Sequence, residues 1–279
     1  MVDVVILGSG TPVPDPDRAG SAVAVVAGAE WVLVDCGRAA TQRAVSAGLD
    51  LRDLVAVALT HHHSDHISDL ATLATTRWSG GATTPLTVVA PAGPAARFAA
   101  RCLDVYDDQA FHSQAPAAAG PRPVVDTRPF DATGEPATVF TVGRWRVTSA
   151  LADHHPVEPA VGYLVEHRSE HGSARVAVSG DTAVCPGVRA LARNVDVLVH
   201  EALLADRVAP SLLDWNPEAR TVGQLAAETR PKALVLTHMI PAPTTPDLEA
   251  AYLTAIRAGG FPGPTRVAHD GLRVTATPG

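Results

Sequence analysis

Thr60-His61-His62-His63-Ser64-Asp65-His66 directly follows the apolar run Leu54-Val55-Ala56-Val57-Ala58-Leu59. The run reads as a buried β-strand, and the polar string puts four imidazoles and a carboxylate at its end. An extended chain throws residues i and i+2 to one side, so His61 and His63 can grip a single ion while His62 points away. If a helix starts near Asp65, as Ile67, Leu70, Leu73 and Ala74 at three-to-four spacing indicate, Asp65 and His66 can face a second ion. Imidazole nitrogens with a few carboxylates suit zinc, with iron or manganese as alternatives. The competing reading is a solvated histidine run.

Two ions need more donors than one loop holds, and other strand ends supply them. Asp153-His154-His155-Pro156 comes after Trp145-Arg146-Val147-Thr148, and Ser179-Gly180-Asp181-Thr182 follows Ala174-Arg175-Val176-Ala177-Val178. Thr237-His238 follows Ala233-Leu234-Val235-Leu236, and the apolar stretch 195–199 ends at His200-Glu201, which puts that pair at the same rim. Strand-like runs alternate with helical stretches at 38–47, 95–103, 221–229 and 246–258, which indicates an α/β class. The motifs run from His61 to His238 and must converge, so residues 1–279 read as a single domain. With 46% hydrophobic residues among 279, the chain can bury a substantial core.

The ordered set His-x-His-x-Asp-His, His, Asp and His resembles the signature of the metallo-β-lactamase-fold hydrolases over nearly the whole chain. Within that superfamily the sequence is most similar to the branch of arylsulfatase-type hydrolases and ribonuclease Z. Five stretches carry this: Leu7-Gly8-Ser9-Gly10-Thr11-Pro12, Leu33-Val34-Asp35-Cys36-Gly37, the run from Asp153, Ser179-Gly180-Asp181-Thr182, and Val199-His200-Glu201-Ala202. The resemblance implies a four-layer αββα sandwich whose two related halves are not visible as a sequence repeat.

It also implies roles. His61, His63 and His154 would hold one metal, Asp65, His66 and His238 the other, and Asp181 would bridge them. His154 is preferred to His155 because the family places its histidine two residues before the Pro-Val pair. Two ions about 3.5–4 Å apart would share a water and lower its pKa toward neutrality, so hydroxide attacks an ester while the metals stabilise the developing charge. Asp65 is either a proton acceptor for that water or a plain ligand. His200 and Glu201 are candidates to orient a ligand or protonate the leaving group, against a structural histidine and a surface glutamate. Asp35 is expected to brace the ligand loop.

The glycines at 8 and 10 do not make a nucleotide fingerprint, since Pro12, Pro14 and Pro16 exclude a following helix. That loop is a candidate substrate wall. Cys36, Cys102 and Cys185 are odd in number and unpaired in spacing, so they read as reduced thiols. With no basic leader and no run of 18 apolar residues, a cytoplasmic protein without membrane contact is expected.

The net charge of −7 and the single lysine, Lys232, argue against a nucleic-acid partner, which calls for a basic stripe. The ribonuclease Z branch commonly carries a long arm between its third and fourth motifs, and this chain has no room for one between His154 and Asp181. A small-molecule substrate is therefore expected: an aryl sulfate, a phosphodiester or a lactone. A transfer-RNA endonuclease and a non-hydrolytic metal-binding or sensor protein are the alternatives. Two poorly patterned segments, 103–139 with Tyr106, Phe111 and His112, and 203–220 with Trp215, read as pocket walls or as disordered or homodimer-forming inserts. Trp78 is a further wall candidate, against an ordinary core tryptophan.

Overall fold

The structure is a computed structural model and describes residues 1–106, 118, 120, 122–170 and 172–277. One sheet contains β1 (Val2–Gly8), β2 (Ala22–Ala27), β3 (Glu30–Val34), β4 (Leu54–Ala58), β5 (Leu86–Pro91) and β6 (Val125–Phe130). The other contains β7 (Ala137–Val142), β8 (Trp145–Leu151), β9 (Val161–Ser169), β10 (Gly172–Val178), β11 (Val197–Leu203), β12 (Ala233–Ile240) and β13 (Thr265–Val267). β14 (Arg273–Ala276) returns to pair with β1.

Both faces of each sheet are covered, which is why the strands are near-continuous apolar runs. In β1, Val4 and Ile6 enter the core between the sheets, while Val5 and Leu7 face the helices. On that outer face lie α1 (Ala40–Ser46), α3 (Leu70–Ser79) and α4 (Pro94–Arg101), reached after the single turn α2 (Ser64–Ile67). The second sheet is backed by α5 (Pro186–Leu191), α6 (Ala219–Thr229) and α7 (Pro246–Ala258). The result is the αββα sandwich, and each sheet repeats one plan. Four strands run antiparallel to their neighbours (β14-β1-β2-β3 and β7-β8-β9-β10), then three continue in parallel (β4-β5-β6 and β11-β12-β13). The carboxyl ends of the parallel strands from both sheets carry the polar motifs, the usual place for a site in open α/β sheets.

Three boundaries differ from the sequence reading. β11 and β12 extend through His200-Glu201 and Thr237-His238, so these residues lie within strands and not beyond them. Segment 103–139 contains β6 and the start of β7, two edge strands whose half-exposed residues lack apolar alternation. Phe111 and His112 lie outside the described residues. Trp78 is buried, with Nε1 donating to the Gly120 carbonyl, as a core tryptophan would be. No helix among the described residues is long and apolar enough to cross a membrane.

The sheets are tied together beside the histidine loop. The fully buried Tyr163 of β9 donates from its hydroxyl to the Leu59 carbonyl at 2.7 Å, and the Val161 amide donates to the Thr60 carbonyl. Tyr163→Phe strands the Leu59 oxygen in the core. It is expected to lower the unfolding free energy by about 1–3 kcal/mol in urea titrations; an unchanged midpoint would show that this bond carries no stability.

Candidate metal centre

β3 is followed by Asp35, whose backbone turns into the left-handed region at φ 61°. Asp is one of the few side chains that tolerate that conformation. The turn sends the carboxylate under the next strand's loop. Its Oδ1 accepts the Thr60 amide at 2.8 Å and its Oδ2 accepts the Thr60 hydroxyl at 2.9 Å. Oδ2 also accepts Nδ1–H of His66 at 2.7 Å, which leaves Nε2 of that ring facing the centre. A second relay aims His61, because its Nδ1 lies 3.0 Å from the Thr60 hydroxyl oxygen and its Nε2 is buried without a hydrogen-bond partner. Asp35 thus braces the ligand loop.

Gly37 and Gly180 allow the surrounding chain to close in. A Cβ at Gly37 would lie 1.9 Å from the Asp65 carbonyl oxygen. Gly180 has φ 63°, and a Cβ there would press on Thr60 at 3.0 Å.

The seven expected donors come together. His61, His63, His154 and Asp181 form one group, Asp65, His66 and His238 a second, and within each group the donor atoms lie within 4.8 Å of one another. Nε2 of His154 is 3.3 Å from Nδ1 of His63. Nε2 of His238 is 3.1 Å from Asp65 Oδ2 and 3.5 Å from Asp181 Oδ2. Asp181 also meets His66 Nε2 at 3.3 Å through Oδ1, so its two oxygens reach toward both groups. His238 takes its place with φ 47°, a left-handed residue inside a strand. Such strain costs about 1–3 kcal/mol and is found mainly at functional sites.

Electrostatics agree with a cation. Burial, and the neighbouring His66, hold His61 well below the ordinary imidazole range, and burial lowers His63 and His154 as well, which favours the neutral rings a cation would need. Burial alone would lower His66, yet Asp181 and Asp35 outweigh it and push it well up. Burial alone would raise Asp181, but His238 and His66 hold it well below the carboxylate range. The buried carboxylates favour a proton on the His66 imidazole, and a divalent ion would supply that positive charge instead. Asp65 Oδ1 is buried without a hydrogen-bond partner, a free lone pair in the same space. The donor set fits divalent metal ions.

The structure separates the remaining candidates. His154 is buried in the cluster, whereas the His155 side chain is 77% exposed beside Glu158. Glu201 is buried, with Oε1 accepting the Thr182 amide and Oε2 3.9 Å from His238 Nδ1. Burial and then the Asp181 charge hold it well above the carboxylate range, as a neutral acid. It forms a third donor group with Asp181 and His238. His200 stands apart: strand alternation turns it to the opposite face, its Nδ1 bonds the Glu201 carbonyl at 2.8 Å, and no donor group among the described residues includes it. Sequence reasoning missed Thr60 and Tyr163, which ligand spacing does not flag.

The glycine-proline loop packs beside the end of the strand that carries His238. Ser9, Thr11, Val13 and Arg18 face Met239 and Pro241 across a cavity of about 260 Å³, and Met239 directly follows His238. Segment 203–220 reaches the centre through the Trp215 backbone beside His154.

A family model described as a β-lactamase superfamily domain matches residues 30–239. The chain belongs to the β-lactamase superfamily. It is a metallo-β-lactamase-fold, metal-dependent hydrolase of ester bonds, of the ribonuclease Z-like branch. It is 37% identical over 292 residues to a protein named ribonuclease Z from Mycobacterium sp. (strain KMS), spanning 100% of this chain and 98% of that one. It is 35% identical over 252 residues, 87% of each chain, to a protein of the same name from Mycolicibacterium paratuberculosis. Among solved structures, human tRNase Z, short form, superposes with a TM-score of 0.73 at 20% identity over 99% of both chains. The metallo-β-lactamase fold protein YhfI of Bacillus subtilis gives 0.72 at 20% identity over 98% of both. An alignment of 292 positions with a 279-residue chain leaves the Mycobacterium relative no long extra arm either. The missing arm therefore does not set this superfamily member apart from proteins of that name.

Two measurements test the geometry. His154→Ala is expected to lower bound metal in elemental analysis, and His155→Ala to leave it unchanged; equal losses would show that both histidines bind. His200 gives a pH signature, because burial holds its imidazole at about 4. The unfolded chain takes up a proton at pH about 6.5 that the folded chain refuses until about 4. This stability contribution is complete above the unfolded value and is lost as pH falls through that window, at up to about 1.4 kcal/mol per unit. The slope of unfolding free energy between pH 6.5 and 4.5 is expected to be shallower by about that amount in His200→Leu. Identical slopes would place the proton uptake elsewhere.

Proposed function

We propose that this hydrolase is a two-zinc phosphodiesterase of ribonuclease Z type, cleaving a transfer-RNA precursor beyond a hairpin stem. The supporting observation is the 37% identity to a ribonuclease Z along the full length of both chains. This reverses the expectation of a small-molecule substrate drawn from net charge, since charge is a sum over the surface and phosphates are met locally.

His61, His63 and His154 would hold one ion, and Asp65, His66 and His238 the other, with Asp181 shared between them. When bound, the pair would supply Lewis acidity and a nucleophile at neutral pH. The chain's own groups do the rest. Asp65 Oδ1, buried and without a hydrogen-bond partner, is placed to take a proton from the attacking water. Asp35 keeps His66 in the tautomer that offers Nε2, and Thr60 does the same for His61. Glu201, anchored on the Thr182 amide, faces Nδ1 of His238 and steadies that ring in its strained backbone.

The test is a transfer-RNA precursor extended at its 3′ end, incubated with the purified chain with and without chelator, beside elemental analysis. Chelator-sensitive cleavage at one position with about two zinc ions per chain is the expected result. Two metals with no RNA cleavage, but turnover of a chromogenic sulfate or lactone, would replace this reading with a small-molecule esterase.

A further inference from the structure

A phosphodiesterase with one lysine must find phosphate contacts elsewhere, and that lysine is spent. Lys232 Nζ lies 2.8 Å from Asp196 and donates to the Thr277 carbonyl at 2.6 Å. Three arginines reach the glycine-proline loop or its continuation, Arg18, Arg38 and Arg43, and two of them are spent too. Arg18 donates from Nη1 to the Ser9 hydroxyl at 2.8 Å and the Ala268 carbonyl at 2.9 Å, and from Nη2 to the Pro243 carbonyl at 3.3 Å. Arg43 pairs through Nε with Asp270 at 3.0 Å, and its Nη2 reaches the Asp17 carbonyl.

Arg38 differs. Among the described residues it makes no ion pair, and its one side-chain hydrogen bond runs from Nη2 to the Thr11 carbonyl at 3.5 Å, the outer limit of such a bond. A guanidinium has five N–H donors in a planar fork that matches phosphate oxygens, so nearly all of that capacity is unused. Its backbone is fixed at the centre. Gly37 before it is packed on the Asp65 carbonyl, and the Arg38 carbonyl accepts the Gly20 amide at 2.9 Å. Thr11, toward which the side chain leans, lines the cavity whose far wall is Met239, next to His238. The spare cation is thus carried by the residue after the glycine that packs on the Asp65 backbone, and it leans toward the glycine-proline loop.

We propose that Arg38 is a substrate-binding residue whose guanidinium grips a non-bridging oxygen of the substrate phosphodiester as it enters the centre. The inference rests on the phosphodiesterase reading above. The half-buried stem and the weak hold on Thr11 leave the head group rigid enough to aim and free enough to exchange a neutral carbonyl for a charged oxygen.

The test compares wild type, Arg38→Gln and Arg38→Lys, each with metal content and melting temperature measured. The substrates are the transfer-RNA precursor and thymidine 5′-(p-nitrophenyl phosphate), assayed over a range of salt. Arg38→Gln is expected to raise KM for both by about tenfold or more, with a smaller change in kcat. For the RNA, the slope of log KM against log salt is expected to fall by about one, as for one lost phosphate contact. Arg38→Lys is expected to keep the slope while recovering only part of KM, because it retains the charge and loses the fork. Unchanged KM and slope in Arg38→Gln, or an equal loss in both variants accompanied by a lower melting temperature, would overturn the assignment and make Arg38 a loop brace. A wild-type chain that cleaves neither phosphodiester overturns the function proposed above, a result visible before any variant is compared.

Discussion

The buried carboxylate of Asp35 is the constraint on which the centre hangs. It binds no metal donor position itself, yet it accepts from the Thr60 amide, the Thr60 hydroxyl and the His66 ring, and through Thr60 it also sets His61. A carboxylate taken out of water is costly unless its lone pairs are filled, and here every bond that fills them orients a donor of the cluster. The same interaction therefore secures the crossover from β3 to β4 and chooses the tautomers of two imidazoles. Its left-handed backbone is the local cost of pointing the carboxylate across to a neighbouring strand.

Around that anchor, the centre is assembled from two sheets that share no strand. The first sheet contributes one compact loop, His61 to His66, and the second contributes His154, Asp181 and His238 from three separate places. Strand order within the second sheet sets Asp181 and His238 3.5 Å apart, and only the packing of the two sheets brings them to 3.3 Å from His66 and 3.1 Å from Asp65. The Tyr163 hydroxyl and the Val161 amide hold the second sheet to the residues just before that loop. Stability and site geometry are thus carried by the same contacts. A concentration of buried carboxylates and imidazoles with open lone pairs is unfavourable by itself, and divalent ions are the compensation that the donor chemistry suits.

Charge illustrates how a bulk quantity misleads about a local one. A total of −7 argues against a polyanionic partner, but some of that acidic charge is locally neutralised or buried. Asp270 holds Ser9, Ala19 and Arg43, Asp196 holds Lys232 and the Arg175 amide, and Asp50 holds Arg52. What a phosphate meets at the mouth is set by the few groups without such partners, and the arrangement of arginines there cannot be inferred from composition.

How much was legible in the sequence follows from the range of each interaction. The histidine string, the helix start at Ser64 and the α/β alternation are local patterns of period two or 3.6, and they appear in the structure within a few residues. The clustered donor set was legible because metal chemistry restricts residue type and spacing. Strand alternation was also in the sequence, and it sends Glu201 and His200 to opposite faces once both lie inside β11. The choice of His154 over His155 by burial required the packed loop. So did the edge strands β6 and β7, whose pairing partners are supplied by distant chain. The neutral state of Glu201, the relay through Thr60 and the unspent guanidinium of Arg38 arise from contacts between residues remote in the chain. Sequence encodes donors and periodicity, whereas burial, protonation and partner count exist only after the two sheets close on one another.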